Sequence, residues 1–255
     1  MKSRPSFPAR LQATPGPARA KAHAIPAPLA NASPQGLGLD SEAHRQRMVQ
    51  LLRKQGVQDA AVLAAMGSVH RHRFVDSALV NQAYEDTSLP IGLGQTISKP
   101  GVVARMLELL RNATSAPLGR VLEIGTGCGY QAAVLSCLAT EVYSMERLRG
   151  LHDKARENLR PMRLPNVHLL FGDGMVGYAK GAPYAAIIAA AGGEAVPTAW
   201  IDQLAMGGRL VAPVQGGGAS GSSAQALLVL DKTPQGLRQT LLEAVHFVPL
   251  KSGVA

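Results

Sequence analysis

From residue 119 onward the sequence alternates between short apolar runs and segments with helical character. The apolar runs lie at 119–125, 141–146, 166–173, 185–191 and 207–214, and the segments between them include YQAAVLSCLA, RLRGLHDKARENLRP and VPTAWIDQLAMGG. Strand followed by helix at this spacing is typical of an α/β fold with a doubly wound, mostly parallel, Rossmann-like sheet. Such sheets bind ligands beyond the carboxyl ends of their strands, so we expect the site residues there.

Three helices are predicted before this alternation begins. Ser41 is a suitable N-cap for SEAHRQRMVQLLRKQGV and Asp59 for QDAAVLAAMGSV, and Pro100 stands just before the helix predicted in PGVVARMLELLRN. The cluster HRHRF at 70–74 contains two histidines without a third ligand nearby, so we expect a solvated helix terminus and no metal site. Residues 215–223 are predicted to form a loop, followed by a closing pair of strands.

Of the net charge of +9 over 255 residues, the first 40 residues carry +4 and the remaining, mildly basic body carries +5. Residues 1–40 are rich in proline and carry five basic residues against one acidic residue, so we predict a disordered extension. The domain is then 41–255, with helices and a substrate loop over 41–118 and the ligand-binding sheet over 119–255. The sequence contains no apolar run of 18 residues that could span a membrane, and its two cysteines form no CxxC pair. Both observations favour a cytoplasmic protein.

The segment VLEIGTGCGY at 121–130 joins the first of these strands to a helix through a glycine-rich turn. The dinucleotide fingerprint GxGxxG would need glycine where Tyr130 stands, and the chain has no phosphate-binding GxxxxGK[ST] motif. The remaining pattern, E-x-G-x-G-x-G with Glu123 at the strand end, suits a ligand with ammonium and sulfonium groups. The alternative is that the glycines only form a tight turn.

Two further acids follow the next two predicted strands. Glu146 lies where a doubly wound fold positions an acid to bind ribose hydroxyls, and Asp173 could accept a hydrogen bond from an adenine amino group. Three acids at three consecutive strand ends therefore predict a site for S-adenosylmethionine.

Several motifs resemble those of the protein-L-isoaspartate O-methyltransferase family over about Arg45 to Leu250. They are HRFV (72–75), AYEDTSLPIGLGQTISKP (83–100), VLEIGTGCGYQAAVL (121–135), FGDGMVGY (171–178), GGRLVAPV (207–214) and FVPL (247–250). The resemblance implies that LPIGLGQTISKP folds over the methyl donor and helps to form the isoaspartyl pocket. It implies Ser98 as the catalytic residue, with Gln95, Thr96 and Ile97 beside it.

The resemblance also implies the donor site and the reaction. The residues expected to bind S-adenosylmethionine are Glu123, Gly125, Thr126, Gly127, Cys128, Gly129, Glu146, Arg147, Asp173 and Gly174. The implied reaction methylates the free α-carboxylate of L-isoaspartyl residues in proteins and peptides, releases S-adenosylhomocysteine and begins repair through a succinimide. Because an ionised carboxylate needs no general base, we expect Ser98 to orient the acceptor and not to act as a nucleophile.

Some positions depart from the family pattern, and other functions remain to be weighed. Cys128 replaces the usual Ser or Thr and is expected to be sensitive to oxidation, Ala185 replaces an Asp expected near the pocket, and Gln215 replaces a common Gly. The alternatives are a methyltransferase for another carboxylate or small molecule, a donor-binding protein without turnover, and a nucleic-acid binder that uses the basic extension. We expect a monomer that binds neither nucleic acid nor membranes.

Overall fold

The computed structural model describes residues 42–112, 114–216 and 224–255. The predicted disordered extension over 1–40, the Ser41 cap and most of the predicted loop at 215–223 lie outside the described residues. Within the described ranges, no helix is both long enough and apolar enough to cross a membrane.

Seven of the nine described strands form one mixed sheet. The strands are β1 (Leu89–Gly92), β2 (Gln95–Ile97), β3 (Leu118–Ile124), β4 (Ala139–Glu146), β5 (Val167–Phe171), β6 (Tyr184–Ala189), β7 (Leu204–Gln215), β8 (Gln225–Thr233) and β9 (Gly236–Val245). The sheet order is β5-β4-β3-β6-β7-β8-β9. The pairs from β5 to β7 are parallel and the last two pairs are antiparallel, which confirms a mostly parallel sheet with a closing pair of strands.

The strand order places the topological switch point beside β3. The chain runs from β3 outward through β4 to β5 and then returns to β6, on the other side of β3. Connections that leave β3 in opposite directions open a crevice at the carboxyl ends of β3 and β6, which is where doubly wound sheets bind their ligands. The fold therefore fixes the location of the site.

Six α-helices accompany the sheet in the described ranges. They are α1 (Glu42–Lys54), α2 (Ala60–Ser68), α3 (Pro100–Arg111), α4 (Tyr130–Ser136), α5 (Arg149–Leu159) and α6 (Thr198–Gln203). The predicted Asp59 cap is confirmed, because Asp59 Oδ1 accepts from the backbone N–H groups of Ala61 and Val62 at 2.9 and 3.1 Å. Pro100, expected just before the third helix, is instead the first residue of α3.

Side chains that alternate along each strand form two hydrophobic cores. In β3, Val121 packs into the core shared with α1 to α5, whereas Leu122 and Ile124 pack into a second core that contains Trp200 of α6. Glu123 is fully buried, on the same face of β3 as Val121. The period of two along β3 thus accounts for the burial of a carboxyl group inside the sheet.

Two sequence predictions about elements need correction. The helix expected over VPTAWIDQLAMGG ends at Gln203, because the Lys232 ammonium group donates to the carbonyls of Ile201 and Leu204, both at 2.8 Å, and β7 begins at Leu204. The HRHRF cluster is not a solvated helix terminus. It forms a 3₁₀ turn, Arg71–Phe74, in which the side chains of Arg71 and Phe74 are buried.

Candidate active site

A cavity of about 470 Å³ lies beyond the carboxyl ends of β3, β4 and β6. Its walls are the turn that follows β3, residues 145–148 at the end of β4, Gly174, and Ala190 and Ala191 after β6. The volume is within the range of small-molecule sites. We call this the donor cavity.

The glycine turn that follows β3 is fastened to β4 by the carboxylate of Glu146. Oε2 of Glu146 accepts from the Gly127 N–H at 2.9 Å, and Oε1 accepts from the N–H groups of Arg147 and Leu148, also at 2.9 Å. Gly127 has a φ of +57°, and a Cβ there would lie 3.2 Å from Ile91 Cδ1. Glycine is therefore needed at this position both for the left-handed backbone and for the close approach of the hairpin.

Glu123 lies behind the donor cavity and not on its surface. Its Oε2 accepts a hydrogen bond from the Ser144 hydroxyl, and the Ser144 hydroxyl also contacts Thr126 Oγ1 at 2.7 Å. Burial raises the pKa of Glu123 to about 8, although the neighbouring Ser144 and Gln131 side chains lower it. Because Thr126 and Gln131 do line the cavity, Glu123 can influence a ligand only through them.

The Asp173 carboxylate is held by the backbone on both oxygens. Oδ1 accepts from the Met175 N–H at 2.8 Å, and Oδ2 accepts from the Gly253 N–H at 2.6 Å. The same carboxyl-terminal segment accepts from Arg147, whose Nε lies 2.9 Å from the Gly253 carbonyl oxygen. Asp173 does not itself line the donor cavity, but its neighbour Gly174 does, so the predicted contact with an adenine amino group stays a prediction.

The structure changes the expectations for two departures from the family pattern. Cys128 is buried, and burial raises the pKa of its thiol to about 11, so the oxidation-prone thiolate is suppressed and the expected sensitivity is not supported. Ala185 is the second residue of β6, at the amino end of that strand, whereas the site is at the carboxyl end. Its replacement of an acid consequently does not strip the pocket of a polar group.

The segment LPIGLGQTISKP is not an irregular loop but a short β-hairpin. β1 and β2 pair in antiparallel fashion, with Leu89 opposite Ile97, around a tip of residues 92–94. The hairpin covers the donor cavity, because Ile91 and residues 93–98 all line it. The prediction that this stretch wraps a ligand site is therefore supported, although its strand pairing was not foreseen.

A second cavity, of about 730 Å³, meets the donor cavity beneath the hairpin. Thr96, Ser98, Ala190 and Val248 line both cavities. The hydroxyl groups of Thr96 and Ser98 make no hydrogen bond within the described residues, so both are available to a ligand. We call this second space the acceptor cavity.

Charged and polar side chains line the acceptor cavity. Arg105 Nε donates to Glu243 Oε1 at 2.8 Å, and Asp86 accepts from the Gly101 N–H at 2.7 Å and from Gln55 Nε2 at 2.8 Å. In the described part of the chain, no group of three or more His, Cys, Asp or Glu side chains could hold a metal ion. The cavity thus offers hydrogen bonds and paired charges to a polar chain.

Sequence reasoning identified the hairpin and the glycine turn as walls of the donor cavity but missed other parts of its lining, such as Ala190 and Ala191 after β6. Gln131 of α4 lines the donor cavity, and the segment 248–251 forms a further wall of it. The FVPL motif at 247–250 was a sequence signal for this carboxyl-terminal wall. Only the folded chain shows that the motif reaches the site, where the Leu250 N–H donates to the Gly192 carbonyl at 2.8 Å.

Comparison with known proteins gives the family. The family model for protein-L-isoaspartate(D-aspartate) O-methyltransferase matches residues 43–255. The chain belongs to this family. A protein-L-isoaspartate O-methyltransferase of Methylibium petroleiphilum is 61% identical over 225 residues, which are 87% of this chain and 82% of that protein. Another from Leptothrix cholodnii is 61% identical over 222 residues, covering 86% and 77% of the two chains.

Solved structures agree with this membership of the protein-L-isoaspartate O-methyltransferase family. One structure of such an enzyme has a TM-score of 0.73 and 28% sequence identity, and covers 82% of this chain and 67% of its own. A related structure from Plasmodium falciparum, in complex with S-adenosyl-L-homocysteine, has a TM-score of 0.69 and 23% identity, and covers 82% and 98% of the two chains. The second comparison supports the fold alone.

Proposed function

We propose that the two cavities divide the reaction of this family between them, with Ser98 at their junction. The chain has the activity of its family, methyl transfer from S-adenosylmethionine to the free α-carboxylate of L-isoaspartyl residues, which begins the repair of damaged proteins through a succinimide. In our proposal the methyl donor occupies the donor cavity and the isoaspartyl residue occupies the acceptor cavity.

The position of Ser98 is the observation that supports this assignment most strongly. A methyl group must pass from one ligand to the other, so the reacting atoms have to meet where the two cavities join. Thr96 and Ser98 line both cavities and carry hydroxyl groups without a partner in the described residues. These hydroxyls can donate to a carboxylate that approaches the donor cavity.

The residues around the donor cavity fit S-adenosylmethionine. Its chemical contribution is a methyl group on a positively charged sulfur, already activated for displacement. Glu146 uses three of about four acceptor positions on backbone amides, which leaves capacity for a ribose hydroxyl. The bare backbone of Gly125, Gly127 and Gly174 allows close approach, and Arg147 completes the wall.

The other predicted donor residues either line the donor cavity or support its walls in this proposal. Thr126 and Cys128 line the donor cavity, whereas Glu123 acts behind it. Gly129 has a φ of +90° and is the N-cap of α4. Asp173 positions the segment that contains Gly253 and precedes Gly174 of the cavity wall, where its carboxylate would meet the base.

The catalytic task of the protein is orientation. The acceptor carboxylate is ionised at neutral pH and is itself the nucleophile, so no side chain has to remove a proton. Hydrogen bonds from Ser98 and Thr96 would align a carboxylate oxygen with the methyl group and with the sulfur behind it. Gln95 and Ile97 shape β2, which contains Thr96 and ends just before Ser98. Alignment of this kind can lower a barrier by about 7–11 kcal/mol.

We also propose that the enzyme acts as a monomer in the cytoplasm, without nucleic acid or membrane. Cys128 and Cys137 are both free thiols, the state that a reducing compartment maintains. The division of the domain into 41–118 and 119–255 is proposed on the same terms, because α1 to α3 and the hairpin precede the central sheet.

Ser98→Ala tests the assignment of the junction. We expect turnover on an isoaspartyl peptide to fall by about 10- to 1,000-fold, because a positioning hydrogen bond near the reacting atoms is lost. The affinity for S-adenosylhomocysteine should change far less. Turnover is measured with labelled S-adenosylmethionine, on the isoaspartyl peptide and on its normal aspartyl twin.

Ser136→Ala is the matched control for this experiment. The Ser136 hydroxyl donates to the Ala133 carbonyl at 2.7 Å and lines neither cavity, so this variant should retain normal turnover. Retained turnover per folded molecule in Ser98→Ala would show that Ser98 is only a turn residue, and the junction assignment would be wrong.

A further inference from the structure

The side chain of Arg71 is a completely buried cation next to the active-site hairpin. Its exposed fraction is 0%, and its Nη2 donates to the carbonyl oxygen of Ser98 at 2.8 Å. The guanidinium group lies over the ring of Tyr130, 4.8 Å from its centroid. Arg71 thus connects the 3₁₀ turn before the hairpin with the residue at the junction of the two cavities.

This cation lacks the partners that normally compensate burial. Its Nε and Nη1 atoms are buried without a hydrogen-bond partner, and no ion pair among the described residues includes Arg71. Desolvation lowers the pKa of the guanidinium below its usual value, although nearby Tyr130 raises it. Buried charges are usually paired, and the nearby Asp86 carboxylate raises the pKa of Arg71 without forming an ion pair with it, so the cation keeps the capacity to attract an anionic ligand.

We infer that Arg71 is a positioning residue that sets the Ser98 segment and gives the junction its preference for an ionised acceptor. This inference rests on the proposed function. The hydrogen bond to the Ser98 carbonyl fixes the backbone from which the Ser98 hydroxyl projects. The positive charge behind it favours a carboxylate over a neutral amide, in surroundings where charges are weakly screened.

The proposal explains how the site can select a free α-carboxylate while Ser98 and Thr96 remain neutral. A hydroxyl group donates to a carboxylate and to an amide oxygen alike, so hydroxyls alone discriminate poorly. A direct arginine contact would hold the carboxylate more tightly but would also draw charge from the attacking oxygen. Arg71 contacts the Ser98 backbone and not the carboxylate itself. Its charge can therefore attract the anion and leave the attacking oxygen free to react.

The test compares an acid and an amide on the same enzyme. S-adenosylhomocysteine-loaded protein is titrated with an isoaspartyl peptide and with its α-carboxamide analogue, for wild type, Arg71→Met, Arg71→Lys and Arg73→Met. Arg73 is exposed in the same 3₁₀ turn, so Arg73→Met removes an equal charge without disturbing the buried site.

We expect wild type and Arg73→Met to prefer the acid at least tenfold over the amide. Arg71→Met should lose most of that preference by weakening only the acid, and Arg71→Lys should retain part of it. In turnover, Arg71→Met should raise KM for the isoaspartyl peptide and lower kcat. Equal weakening of acid and amide in Arg71→Met would show a merely structural role and overturn the inference.

Two measurements keep the test decisive. If Arg71→Met does not fold, the affinities of the wild-type protein still test the inference. A ratio near one between its affinities for the acid and for the amide contradicts the inference without any variant. Ser98→Ala in parallel separates this inference from the proposed function. Retained turnover in Ser98→Ala overturns the Ser98 assignment. The change in the acid-to-amide affinity ratio between wild type and Arg71→Met reports on Arg71.

Discussion

At the scale of single residues, burial decides what the acidic side chains of the site do. The sequence pattern placed Glu123, Glu146 and Asp173 at strand ends, and all three lie there. Their environments differ, because Glu146 binds three backbone amides at the cavity wall whereas Glu123 faces the interior of the sheet. Strand position can be predicted from the sequence, but the partners of a carboxylate come from distant segments, such as Gly253 for Asp173.

Glu123 gives the stability of the protein a specific pH dependence. The pKa is raised from 4.5 to about 8 in the folded chain, chiefly by desolvation, so the folded state retains a proton that the unfolded state has released above pH 4.5. The stabilising contribution is full below pH 4.5 and is lost as the pH rises through 8. In this window the free energy of unfolding falls by up to about 1.4 kcal/mol per pH unit from this group.

Glu123→Gln should remove this dependence, because the amide remains neutral at every pH. Urea unfolding at pH 5, 6, 7 and 8 should show the variant gaining stability relative to wild type with each step. Glu157→Gln, which changes an exposed carboxylate on α5, should show no such trend. Parallel curves for Glu123→Gln and wild type would mean that Glu123 is ionised in the folded protein.

At the scale of elements, the β1–β2 hairpin shows what sequence reasoning could and could not supply. Pro90 and Pro100 exclude a helix through this stretch, and the low charge suggested a covered ligand. The pairing of two short strands was not predictable, because it depends on a tip in which Gly92, Leu93 and Gly94 all have positive φ values of +99°, +53° and +70°. Leucine rarely adopts such a backbone.

The side-chain contacts of Leu93 explain why a leucine occupies this strained, left-handed backbone position. Its side chain is 62% exposed but lines the donor cavity, and its Cδ1 lies 3.1 Å from the position of a Cβ on Gly150 of α5. The leucine thus reaches from the hairpin tip to the helix beside the donor cavity. We interpret it as an apolar contact that covers one side of the donor cavity.

Leu93→Gly should separate binding from stability. Relief of left-handed strain, about 1 kcal/mol, offsets the greater freedom of glycine in the unfolded chain, so Tm should barely move. Calorimetric affinity for S-adenosylhomocysteine should fall about fivefold, the equivalent of about 1 kcal/mol of apolar contact. Leu93→Met preserves the apolar reach and should bind normally. An unchanged affinity for S-adenosylhomocysteine in Leu93→Gly would show that the Leu93 side chain does not contribute to donor binding.

At the scale of the whole molecule, local patterns predicted the layers of the fold but not its long-range closure. The alternation of apolar runs was sufficient for a parallel sheet, and the crossover from β5 back to β6 located the switch point once the strand order was known. The junction beneath the hairpin also needs Val248, about 150 residues from Ser98 in the sequence, and neither segment alone indicates that the two meet. The burial of Arg71 is likewise not evident from the residues around it in the sequence.

The central claim is that methyl donor and isoaspartyl residue occupy separate cavities that meet at Ser98. A crystal structure of the protein with S-adenosylhomocysteine and an isoaspartyl peptide tests it most directly. The account predicts the sulfur atom in the donor cavity, the peptide in the acceptor cavity, and the α-carboxylate within about 2.6–3.2 Å of Ser98 Oγ. A carboxylate bound away from Ser98, or a peptide outside the acceptor cavity, would contradict it.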